Sequence, residues 1–444
     1  MKQATLIIAL LGAIVLAGCG GNGDTTSETT FNNGSGNQPY KPTTHLSHRS
    51  LVSNYYSGAL QVIDATEDKL TTFSFAVGAQ PTYMQSSPDG TLTFVNNSGA
   101  NSITSLNNIT EAIKGTTQLG GWTQSFVTST NNFFGFAAVP NYSNGTFRTP
   151  GGIVRFNPTD GSLNTDIPFP NVLNLAMDTA QTHLLAFTNV DDNAHWVDLT
   201  TIDPATEVPP YYTLTLTDSN GNPVALSRPV AAFFSSDNTK AYVLSCGAEC
   251  GGSSASTVTE IDTTSITTPT NLVTGTTYTG TALAAKAITQ WTISGARIGL
   301  IDTKANKLYV AGSTSTLTDS GGNNVQNGYF TVIDLAAGTA GPSIPIGNGV
   351  KRWIRNINGV FWVASLNCGV QSCVSMVNPS ASTPASTLAN AYGNATGIAY
   401  QPNSGQVFTI EGGQLYIYTQ QGQQLTSQYN TDVKGQGSDV IYID

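Results

Sequence analysis

Four cysteines stand in two close pairs, Cys246 with Cys250 in CGAEC and Cys368 with Cys373 in CGVQSC. In an exported chain such spacing favours disulfides, and two local loops is the simplest of the three possible connectivities. A zinc cluster would need four ligands at tetrahedral spacing, and neither pair has the Cys-x-x-Cys form. The four histidines are His45, His48, His183 and His195, and no two have metal-ligand spacing. No Gly-x-Ser-x-Gly elbow and no Gly-x-x-x-x-Gly-Lys loop is present. Calcium would want a cluster of carboxylates, and the Asp191–Asp192 pair reads as a solvated loop. No catalytic residue, metal ligand or cofactor is therefore assigned.

A second group of residues has binding chemistry. Trp122, Arg228, Trp291, Arg352 and Trp353 each fall where a short strand is expected to begin. Aromatic faces beside amide and guanidinium donors suit sugars, acidic peptides or carboxylates. The competing assignment is structural: Trp packed between sheets, Arg bonded to backbone. The choice turns on what positions them.

The positioning elements are repeats. A triplet resembling Val-Ile-Asp closes a strand at residues 62–64, 105–107, 155–157, 196–198, 260–262, 332–334 and 376–378, with a degenerate copy at 416–419. The copies lie roughly 40 to 70 residues apart. The Asp or Asn that ends each triplet can bond the backbone two residues on and start a turn. A second recurring turn, SPDG at Ser87–Gly90 and its relatives near Asp237, Asn306, Asn358 and Asn403, precedes the strands LTFVNN, AYVLS, KLYVAG, VFWVAS and QVFTIE. These are hairpin signals. Four short strands per cassette predict an all-β chain folded as a single β-propeller of about eight four-stranded blades, with seven the alternative. The first cassette starts at its second strand, and SDVIYID at Ser438–Asp444 reads as an orphan first strand. Paired with the N-terminal strands, it closes the ring and removes an open sheet edge.

Composition agrees. Charged residues are only 10% of 444, against about 25% in an average soluble protein, and Gly contributes 45. Net charge is −10 with 17 basic residues and no basic run, which argues against nucleic acid as a partner.

The N-terminus is an address. Lys2 precedes an apolar stretch from Ala4 to Ala17 that ends Leu16-Ala17-Gly18-Cys19. Its length and form are those of a secretory h-region. The last four positions resemble the lipobox of bacterial lipoproteins, which implies cleavage after residue 18, lipidation of Cys19 and a membrane partner through that lipid. Gly20 in place of Asp points to the outer membrane, facing the periplasm or the cell surface. Residues 19–47, rich in Gly, Asn, Ser and Thr, read as a flexible tether spanning about 30 Å r.m.s.. The propeller domain is expected over residues 48–444.

Residues 50–107 carry a further resemblance. GALQVIDAT, FAVGAQP and SPDGTLTFVNNSGANSITSLNN are similar to the YVTN-type β-propeller repeat. That family shares its architecture with lactonase-like and quinoprotein-like propellers. The resemblance implies the fold and an envelope location, and names no reaction.

In a propeller, the loops between second and third strands share a face with the connections between blades. Here that face collects the insertions AVPNYSNGTFRTPGG, SCGAECGGSSAST, STSTLTDSGGNNVQNGY and LNCGVQSC. Long loops on a rigid scaffold commonly carry binding. The expected function is a lipid-anchored cell-envelope protein that binds or scaffolds through its loop face, its partner an envelope protein or carbohydrate. The alternatives are a channel-mouth hydrolase of lactonase type, which would gain from converging Asp, Glu or His, and a quinoprotein-like oxidoreductase, for which Trp122, Trp291 and Trp353 are the encouragement.

Overall fold

The computed structural model describes residues 44–443 apart from 145–146, 189, 275, 277, 315–316, 319–323, 389–391 and 422–423. The expected signal peptide, Cys19 and residues 19–43 of the tether lie outside the described residues. Among those described, the chain is all-β, with two 3-10 turns at Gly247–Cys250 and Thr263–Ser265 and no α-helix.

The described strands form antiparallel sets around a central channel, a β-propeller; the sets have four strands, except that of Ile298–Asp302, where Thr339–Ala340 and Ile344–Ile346 share the outer place. Each set runs outward from an inner strand. The inner strands are Pro81–Ser86, Phe126–Thr128, Val172–Met177, Pro229–Phe234, Ile298–Asp302, Val350–Ile357, Ala395–Gln401 and Gly437–Ile443. The sets of Val172–Met177 and Pro229–Phe234 are fused into one eight-stranded sheet, because their outer strands Tyr211–Thr217 and Thr281–Thr292 pair in parallel.

The turn chemistry read from the sequence is present at seven markers. The backbone N–H two residues on donates to the side chain of Asp64, Asn107, Asn157, Asp198, Asp262, Asp334 and Asn378, at 2.8–3.1 Å. Each carboxylate or amide is thus spent on its own turn.

The ring closes as expected. Arg49–Asn54 pairs on one side with Ala59–Asp64 and on the other with Gly437–Ile443. One face of this closing sheet packs Leu51, Leu60 and Val62 against Met84, Val95 and Leu106 of the next set. The other packs Val52 and Ile63 against Phe408 and Ile410 of the last set. Each buried side chain of this size contributes about 1.5–3 kcal/mol.

Inner strands all run from the same face of the ring, here called the mouth. At the opposite face Thr44 donates through N and Oγ1 to Glu111, each at 2.7 Å, and Arg49 pairs with the same buried carboxylate. The chain therefore enters the ring on the side away from the mouth.

Candidate functional site

The inner strands share a local irregularity. In six of them the register skips one residue, a β-bulge, at Thr82, Leu173, Val230, Arg352, Thr396 and Ser438, the second residue of the strand except for Arg352, the third. A bulge re-aims the side chain that carries it. Of these six residues only Arg352 is charged. The residue ahead of the strand is left-handed in four sets: Gln80, Asn171, Arg228 and Gly349, with φ of 52, 61, 53 and 88°. Gly adopts this backbone freely, while a side chain as large as Arg is strained in it. Asp192 holds Arg228 there by accepting from its backbone N–H at 2.8 Å.

At the mouth the channel widens into a cavity of about 680 Å³. Five cations line it: Arg228, Arg297, Lys351, Arg352 and Arg355. Among the described residues no Asp, Glu or His does. Neutral polar groups, Gln124, Ser125, Asn174 and Thr188, line the wall built by other sets. The closing set and the last set contribute nothing to the lining. Tyr83 explains this. Its ring stacks on Trp353, centroids 5.4 Å apart and planes 27° apart, although two inner strands separate theirs around the ring. The stacked pair spans the channel and partitions it.

The cations differ in how they are held. The Lys351 ammonium is buried and donates to Gly347 O, to Asn348 O at 3.1 Å and to Ser365 Oγ at 3.0 Å. Burial pulls its pKa down to about 7, against the opposing charge of Glu249. Glu249 rides on the Cys246–Cys250 loop and is itself pushed up by burial. It accepts from Ser313 N at 2.8 Å and lies 3.6 Å from Arg297 Nη1. Arg355 sits over the Trp353 ring at 4.6 Å and makes one weak bond, to Ile354 O at 3.3 Å. Its side chain is exposed at the channel, where partial desolvation by the surrounding ring lowers its pKa from the usual guanidinium value. Arg352 lies 6.0 Å from the same ring and has no hydrogen-bond acceptor among the described residues. Behind them the buried Asp439 carboxyl accepts from Met84 N at 2.7 Å and Val440 N at 2.9 Å. Burial raises its pKa to about 7, which weakens it as a counter-ion to Arg352 and Arg355. The same enclosure lifts the Tyr83 phenol to about 12.

The sequence-derived residues are distributed unequally. Arg228, Arg352 and Trp353 line the cavity. Trp122 stands ahead of Phe126–Thr128, 37% exposed, and is not among the lining residues. Trp291 lies near the end of the outer strand Thr281–Thr292, and its Nε1 donates to Gly338 O at 3.0 Å, a contact between sheets. The inner strand of that region starts at Ile298, so the mouth position belongs to Arg297. Arg297, Lys351, Arg355 and Tyr83 complete the site. Both cysteine pairs form local disulfides, Cys246–Cys250 and Cys368–Cys373. His183 pairs with Asp178 at 3.0 Å and His195 with Asp191 at 3.3 Å, both away from the cavity. No group of three or more His, Cys, Asp or Glu that could hold a metal occurs among the described residues.

These features define a β-propeller with a cationic channel mouth. No protein-family model matches the chain, and no curated protein matches it. Solved structures do resemble it. One is a dihydro-heme d1 dehydrogenase, NirN, in complex with DHE, at TM-score 0.56 and 11% identity over 91% of this chain and 77% of that one. A functionally unknown protein from Desulfotomaculum acetoxidans has TM-score 0.51 and 10% identity, over 89% of this chain and 99% of that one. A periplasmic gluconolactonase of Pseudomonas aeruginosa, PpgL, has TM-score 0.47 and 14% identity over 89% and 99%. At such identities the likeness is one of fold.

Proposed function

We propose that this chain is a lipid-anchored cell-envelope propeller that binds an anionic organic ligand in the mouth of its channel. One observation carries the reading. Arg352 and Arg355 project into a cavity that no carboxylate lines among the described residues, and between them they make a single weak hydrogen bond there. Both guanidinium groups are open to the channel, Arg355 exposed and Arg352 half-buried, and a bound carboxylate or phosphate would supply the bidentate partners that the surrounding protein does not. The lipobox resemblance at Cys19 supports the anchor.

The test is a thermal-shift titration with citrate, succinate and inorganic phosphate, with glucose as the neutral control. At a hundred times its dissociation constant a ligand adds about 2.7 kcal/mol to stability. Anions should raise the melting temperature of the wild type and leave Arg352→Ala unmoved. Equal responses of the two proteins would reject the site. For the anchor, Cys19→Ala should move the protein from the membrane fraction to the soluble one.

A channel-mouth hydrolase is the second reading, on the observation that the Lys351 amine is held near neutrality, where it could exchange a proton. Turnover of gluconolactone above the spontaneous rate would favour it.

A further inference from the structure

The two walls of the cavity offer different chemistry, and their difference narrows the ligand. Resting on the anion-binding reading, we infer that the ligand is the end of a saccharide chain that carries a uronic acid. The cationic wall, with Arg228, Arg297 and Arg352, takes the carboxylate. The facing wall presents Gln124 and Asn174. Gln124 Nε2 reaches Asn174 Oδ1 at 3.4 Å, the one contact between them. Gln124 Oε1 and Asn174 Nδ2 then have no partner among the described residues. One acceptor and one donor therefore stand side by side at the cavity.

A hydroxyl both donates and accepts, so neighbouring ring hydroxyls satisfy such a pair. A second carboxylate or phosphate accepts only, and would leave the Gln124 oxygen facing an anion. An apolar acid would gain nothing from either amide, leaving both to water. Phe233, which also lines the cavity, offers apolar surface to the C–H face of a pyranose. A cationic wall, an amide wall and this aromatic ring together match a molecule with one acidic end and a polyhydroxylated body.

Calorimetric titration of the folded protein with glucuronic acid, digalacturonic acid, glucose and succinate tests the inference. The variants are Arg352→Ala and the double substitution Gln124→Ala with Asn174→Ala, each first shown to melt like the wild type. A uronate should bind at least about tenfold more tightly than glucose or succinate. Arg352→Ala should reduce uronate binding to the level of glucose. The amide double variant should weaken uronate about tenfold and succinate less than twofold. Succinate binding as tightly as uronate, with the amide variant unchanged, would overturn the saccharide inference and leave the anion site standing. Absence of binding by every probe overturns both.

Discussion

Two parts of this molecule bring together residues distant in sequence: the closing sheet and the channel mouth. At the closing sheet Arg49–Asn54 meets Gly437–Ile443 with apolar side chains on both faces. Its charges are spent internally. Arg49 is paired with Glu111, and Asp439 accepts two backbone N–H groups. The mouth is built on inner strands of other sets. There Arg228 lies 3.7 Å from Asp192 and Arg297 3.6 Å from Glu249, while Arg352 and Arg355 have no such carboxylate partner among the described residues. A scaffold that satisfies its polar groups at the seam and leaves guanidinium groups short of acceptors at the mouth has separated what holds it together from what it can bind.

The comparison can be broken at either side. Deleting residues 438–444 removes the inner strand of the closing sheet. Val440 and Ile443 alone represent about 3–6 kcal/mol of burial, a large part of a typical folding margin. Calorimetry should show a collapse of the cooperative transition, and an unchanged melting temperature would mean the ring does not depend on this seam. Next, the two disulfides should separate. Cys368 and Cys373 belong to a buried cluster with Trp362 and Val374. Their replacement by Ser should cost about 2 kcal/mol in chemical denaturation and spare anion affinity. Replacing Cys246 and Cys250 by Ser frees the loop bearing Glu249, so citrate affinity should also change, by about fivefold or more. Equal effects on binding would erase the distinction. Arg352→Ala should change stability by less than about 0.5 kcal/mol while abolishing the anion response.

A further effect is one of pH. Asp439 has its pKa raised to about 7 in the fold from 3.8. Between those values the folded state holds a proton that the unfolded state has released, so this residue makes stability fall as pH rises from about 4 to 7. Asp439→Asn should flatten that part of the stability profile, and an unaltered slope would assign it elsewhere.

The fold was legible in the sequence because its punctuation is local. Asp64, Asn107, Asp198 and their counterparts each make a turn with the next two residues, so their recurrence marks set after set. The closing strand was legible as a strand left without neighbours. The mouth was legible in part. Arg228, Arg352 and Trp353 stand at strand starts that hairpin signals mark. Trp291 was assigned to a strand start because the loose Thr-rich strand Thr281–Thr292 runs longer than its counterparts. The later sequence IGLID, followed by KLYVAG, is the signal that identifies Arg297 instead. The bulges had no signature, since Thr82, Leu173, Val230, Arg352, Thr396 and Ser438 are of five different types. The stack of Tyr83 on Trp353 joins strands far apart in sequence, beyond any local pattern.

The docking of Thr44 onto Glu111 sets where the described chain joins the ring, at the face opposite the mouth. A tether continuing from Thr44 to the proposed lipid on Cys19 would meet the protein there and leave the cavity unobstructed, like a cup held by its base.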